Sequence, residues 1–119
     1  MQEQYTLELN RAVDLVLNRD YGQAMYIALK IYVSAAKVNP DDEAKKKSLT
    51  LLSNLDRLIE IEFDEFARRK GIKINYKNKK ALMRKHSKHW QRFESFMYPG
   101  GMEPYGLRYV RVPLTLSQN

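Results

Sequence analysis

Histidine and arginine are the side chains best suited to moving protons and holding phosphates, and both crowd into one stretch, YKNKKALMRKHSKHWQRF, residues 76–93. This stretch carries the chain's two histidines, His86 and His89, and its one tryptophan, Trp90. Three residues apart, His86 and His89 are neighbours on a helix and offer two metal ligands. A zinc site needs at least one more. The chain has no cysteine, so thiolate-ligated zinc is excluded, as are disulfides. Only the fold could bring Glu62 or Glu65 to complete such a site. The simpler expectation is no metal and no cofactor, with both histidines at the core boundary and a ring nitrogen of each hydrogen-bonded.

Charge makes a stronger signal. Between Phe66 and Phe93 there are 11 lysines and arginines and no carboxylate, whereas the rest of the chain has 10 basic and 14 acidic residues. The segment therefore carries more positive charge than the whole chain's net of +7, and the rest of the chain is slightly negative. A concentrated basic segment on a near-balanced body is the footprint of a polyanion-binding surface. The candidate nucleic-acid contacts are Arg68, Arg69, Lys70, Lys73, Lys77, Lys79, Lys80, Arg84, Lys85, Lys88 and Arg92, with Tyr76 as the aromatic free to stack on a base. No zinc-finger spacing, heptad zipper or helix-turn-helix signature accompanies them, so phosphate contact is expected rather than groove readout, with RNA and DNA both open. The acidic run Glu60, Glu62, Asp64, Glu65 reads either as the solvated side of a helix or as an internal partner for these bases.

Arg84 and His89 also form an R-x4-H arrangement, which is similar to the motif of HEPN-type ribonucleases, small helical domains that commonly work as dimers. The resemblance covers six residues. It implies an arginine that holds the scissile phosphate and a histidine that handles a proton. On one continuous helix the two would stand about 140° apart, so they converge only if a helix begins after Arg84 or if a second subunit supplies one of them. No Gly-rich phosphate loop, nucleophile elbow, H-E-x-x-H or paired-carboxylate arrangement is present. The expected function is that of an accessory or regulatory binding protein rather than an enzyme, with a protein-interaction module and then a HEPN-like ribonuclease as the alternatives.

At 119 residues the chain has room for one modest core, and its 44% hydrophobic and 29% charged composition is that of a folded domain. Leu9, Ala12, Val13, Val16 and Leu17 make one helical stripe. Asn18-Arg19-Asp20 breaks it, and Asp20 is placed to cap a second helix. That helix lines up Tyr21, Ala24, Ala28, Ile31 and Ala35, widened by Met25 and Tyr32, and ends at Val38-Asn39-Pro40. Asp41 and Asp42 open a long third helix with Leu52, Leu55, Ile59, Phe63 and Phe66 in phase and Leu51, Leu58 and Ile61 beside them. It is expected to be the central element, closed by Arg68-Arg69-Lys70-Gly71. Residues 72–76, IKINY, alternate and fit a short strand or an extended connection. Asn78 is placed to cap a fourth helix that Pro99-Gly100-Gly101 would end.

On that fourth helix, with Leu82 at zero, His86, His89 and Phe93 lie within roughly 40°, and Arg84 and Lys88 face the other way. The pattern turns both histidines inward and the bases outward. The expectation is a single all-α or mainly α domain, 1–119, resembling an up-down four-helix bundle. Its helices run over about 3–18, 20–38, 42–70 and 78–97, and its tail, 98–119, is irregular or β. No apolar run reaches the roughly 18–20 residues that cross a bilayer, and the N-terminus has no basic, apolar leader. A soluble, cytoplasmic protein with no membrane partner is expected. Its partner would be nucleic acid, with a protein partner or homodimer as the alternative.

Overall fold

Asp20 caps the second helix as its position promises, its side chain accepting a hydrogen bond from the Gln23 amide at 3.3 Å. In the computed structural model, which describes residues 1–97, the chain is mainly helical. Its elements are α1 (Glu3–Leu17), α2 (Tyr21–Val33), α3 (Asp42–Lys70), α4 (Lys79–His86) and α5 (Lys88–Met97), with a wider π turn at Ser34–Val38 continuing α2. The expected irregular or β tail lies outside the described residues.

The core is built on α2 rather than on α3. Gly22, Ala24, Met25, Ile27, Ala28, Leu29 and Ile31 are all buried, and α2 touches α1, α3 and α5. A helix that is apolar nearly all round must be covered on several sides, and α2 is so covered. Its small residues Ala24 and Ala28, at 0% exposure, let the neighbours come close. One of its faces joins Leu52, Leu55, Ile59, Phe63, Met83, Trp90 and Phe93. The other supplies Ile27 and Ile31 to a second cluster with Tyr5, Leu9 and Ala12 of α1 and with Ala44. On α1, Val13 and Leu17 are exposed, contrary to the expected stripe: Tyr5 takes the inward place one turn before Leu9, and the buried face is rotated accordingly.

α3 begins and ends on the residues the sequence marks. The Asp41 carboxylate accepts from the Ala44 amide (3.1 Å) and the Gln2 amide (2.8 Å), and these bonds, that to Gln2 first, hold its pKa below the ordinary carboxylate range. Gly71 closes the helix in the left-handed region (φ 70°), and the Ile72 amide turns back to the Ala67 carbonyl at 2.9 Å. At the other end of α2, the π turn is clasped from α1 by the Tyr5 hydroxyl, 2.7 Å from Ser34 Oγ and 2.8 Å from the Asn39 carbonyl.

Residues 72–76 form no strand. They run as an extended connection whose alternation is real: Ile72 and Ile74 pack on the core, while Lys73 and Asn75 face solvent. The expected fourth helix is two helices, broken at Ser87. Ser87 is buried in extended backbone (ψ 118°) and its hydroxyl accepts from the Trp90 amide at 3.4 Å, starting α5 afresh. Asn78 makes no side-chain cap for α4 and bonds instead to the Asn75 amide at 2.8 Å.

Candidate nucleic-acid interface

Ten of the twelve expected contacts stand clear of the body: Arg68, Arg69 and Lys70 in the last turn of α3, Lys73, Tyr76 and Lys77 in the connection, and Lys80, Arg84, Lys85 and Lys88 on α4 and the start of α5. None of the nine basic ones has an ion pair among the described residues. Lys80 and Arg84, four apart, share one face of α4. The connection that carries Lys73 and Lys77 is held in shape by its asparagines. Asn75 Oδ1 accepts from the Lys77 and Asn78 amides (2.9 and 3.0 Å), Asn78 Oδ1 accepts from the Asn75 amide, and Asn78 Nδ2 donates to the Lys73 carbonyl at 3.4 Å. Tyr76 sits at the tip, 99% exposed.

Lys79 and Arg92 do different work. Lys79 reaches back to Glu60 (3.5 Å) and Asp64 (3.1 Å) and fastens α4 to α3. Arg92 donates from Nε to Asp20 (2.7 Å) and from Nη2 to Gln23 (3.2 Å), and lies 5.0 Å from the centre of the Phe96 ring. The Arg92 hydrogen bond is the main reason that the Asp20 carboxyl titrates below its ordinary range, outweighing the opposing effect of burial; the Arg92 pKa rises in return. Among the described residues, the acidic run thus meets the lysines and arginines of the basic segment at Lys79 alone.

The histidines part company. Because helical phase is not carried across Ser87, His86 is exposed, contrary to expectation, with its ring 6.1 Å from that of Phe66. It joins the basic ridge. His89 turns inward as expected: its side chain is 9% exposed and its Nε2 lies 2.7 Å from the Glu62 carboxylate, with the Tyr21 ring 4.8 Å away. Glu62 also meets Arg19 at 3.5 Å, an arginine in the left-handed region (φ 62°) between α1 and α2. Nothing in the sequence pattern ties Arg19, Glu62 and His89 together, since 43 and 27 residues separate Glu62 from its two partners. Arg84 and His89 stand on different helices, so the 140° separation of a single helix no longer applies, but no hydrogen bond joins them. His86 and His89 do not converge, and among the described residues no group of three or more metal-binding side chains occurs. Trp90, T-stacked on Phe93, is buried with its indole N–H unpartnered among the described residues.

Comparison with known protein families, curated proteins and solved structures yields no match. Among the described residues, no helix is long and apolar enough to cross a membrane.

Proposed function

We propose that this chain is a small nucleic-acid-binding protein of the cytoplasm, an accessory or regulatory factor that contacts the phosphate backbone through its basic ridge. The observation that carries the reading is the uncompensated charge: nine exposed lysines and arginines between Arg68 and Lys88 without an ion pair among the described residues, in a chain whose remaining charges are slightly acidic in sum. Phosphate contact of this kind is independent of sequence and driven by counterion release. In the same reading, α1, α2, α3 and the α4–α5 pair act as an up-down bundle that presents the ridge on one side.

Fluorescence anisotropy with labelled RNA and DNA oligonucleotides tests it. About micromolar affinity or tighter is expected at low salt, with log K falling steeply and linearly against log salt. The combined reversal of Lys77, Lys80, Arg84 and Lys88 to Glu abolishes binding. Binding that survives these four changes, or that ignores salt, refutes the proposal.

A second reading, a protein partner or homodimer, is favoured by one observation. Val13 and Leu17 (75% exposed) on α1, and Leu58 and Ile61 on α3, leave apolar side chains in solvent. Sedimentation at high salt separates the two readings, because screening removes phosphate binding but leaves an apolar interface intact.

A further inference from the structure

We infer that the ridge is built for single-stranded nucleic acid, with Tyr76 as a stacking platform for an unpaired base. The inference rests on the phosphate-binding reading and adds the strandedness of the ligand. Every other described tyrosine, phenylalanine and tryptophan is buried or partly buried in the body. Tyr76 alone among them is exposed, at 99%, so both faces of its ring are open.

The ring is also positioned. Ile72 and Ile74 anchor the connection to the core, and the four hydrogen bonds from Asn75 and Asn78 fix the turn on either side of Tyr76. Little chain entropy remains to be lost at this turn on binding. Lys73 and Lys77 flank the ring and Lys80 follows one turn later, all exposed and without an ion pair among the described residues. An aromatic face among lysines suits a strand whose bases are unpaired, with phosphates on the cations and a base on the ring. A duplex keeps its base faces stacked on one another and offers Tyr76 nothing but its backbone. Stacking is sequence-tolerant, so weak discrimination among bases is expected, and RNA and DNA strands are both accepted.

The test compares short single-stranded RNA, single-stranded DNA, the corresponding duplexes, and vesicles containing anionic phosphatidylserine, all against the full chain at one salt concentration. Tyr76 touches nothing that folding depends on, so Tyr76→Ala should retain the wild-type circular dichroism and urea midpoint. Tyr76→Ala should lose about 5- to 100-fold in single-strand affinity, the range that one stacked base supplies, and change duplex affinity less than about 2-fold. Tyr76→Trp should restore or tighten single-strand binding. Equal single-strand and duplex affinities with a silent Tyr76→Ala overturn the inference while leaving the phosphate-binding reading in place. If wild type binds no oligonucleotide, or if the four-residue charge reversal binds as well as wild type, the underlying reading falls as well. Preference for the anionic vesicles over every oligonucleotide also overturns the inference.

Discussion

Gly22 sets how closely α5 can lie on α2, and replacing it with alanine should unseat α5. A Cβ at position 22 would stand 2.5 Å from the His89 carbonyl oxygen and 2.9 Å from both the Phe93 nitrogen and Arg92 Cβ. Two of those three atoms are α5 backbone, so no side-chain rotation makes room. Regaining ordinary contact, which begins near 3.4 Å, requires α5 to withdraw by roughly 1 Å. A gap of that size forfeits about a quarter to a half of the dispersion contact made by the side chains that α5 inserts. Trp90 and Phe93 are the buried aromatic pair. With about 1.5–3 kcal/mol for burying a large side chain, each loses roughly 1 kcal/mol. Stretching the His89–Glu62 hydrogen bond adds about 1 kcal/mol. Alanine's better helix propensity returns up to about 1 kcal/mol. Gly22→Ala should therefore destabilise the protein by about 2 kcal/mol, within the usual range for overpacking.

The assay is equilibrium urea unfolding. With an m-value of about 1–3 kcal/mol per molar, the midpoint should fall by about 1 M at unchanged slope. Gly71→Ala is the internal control. It makes the same chemical change at φ +70° with nothing within 4 Å of the new Cβ, so only left-handed backbone strain is added, about 1 kcal/mol. A Gly22→Ala midpoint equal to or above wild type, or a loss no larger than that of Gly71→Ala, would refute the reasoning from close approach.

Arg19→Gly should stabilise the chain by about 0.5 kcal/mol, because relief of left-handed strain exceeds the chain entropy added and the loss of a mostly exposed ion pair; thermal unfolding reads the sign. Glu62→Ala should cost about 1–3 kcal/mol by leaving buried His89 Nε2 unpartnered, and a double-mutant cycle with His89→Ala should show clear coupling in urea. Acidification should weaken the fold through Asp20. Its folded carboxyl is held below the unfolded value, chiefly by Arg92, so its contribution is complete above the ordinary carboxylate range and is lost as pH falls through the folded pKa. Arg92→Ala should flatten that part of the pH–stability curve, and an unchanged curve would assign the acid sensitivity to other carboxylates.

Helix ends were the most legible part of the sequence, because capping is local chemistry. Asp20 and Gly71 act where a cap or stop was expected, and Asp41, expected only as an acid opening α3, caps it; Asn78, expected to cap the next helix, does not. The break at Ser87 was missed because no glycine or proline marks it. The available signal was weak: a good capping residue inside a stretch that keeps helical phase on both sides. That break explains why His86 faces solvent, since a wheel drawn through residue 87 transfers the phase of one helix to another. The central position of α2 was obscured by its small residues. Ala24 and Ala28 contribute little to a hydrophobic stripe, yet permit the close packing that lets α2 touch three helices. The ridge was readable because charge that has no partner nearby in the chain has few places to go. The exceptions, Lys79 and Arg92, are tied down by residues 15, 19 and 72 positions away, distances at which sequence pattern carries no information.

The burial of Trp90 has an experimental consequence. As the chain's one tryptophan, shielded from water and edge-on to Phe93, it gives the protein a single indole reporter, located where α5 meets the core and separable from the tyrosines by selective excitation. A ligand resting on Tyr76 would not touch that indole. Titration with an oligonucleotide that carries no quencher should then leave the tryptophan emission maximum in place, and a red shift would signal that α5 has moved. Anisotropy of a labelled oligonucleotide then reports occupancy of the ridge while tryptophan emission reports the seating of α5, in the same cuvette and on unlabelled protein.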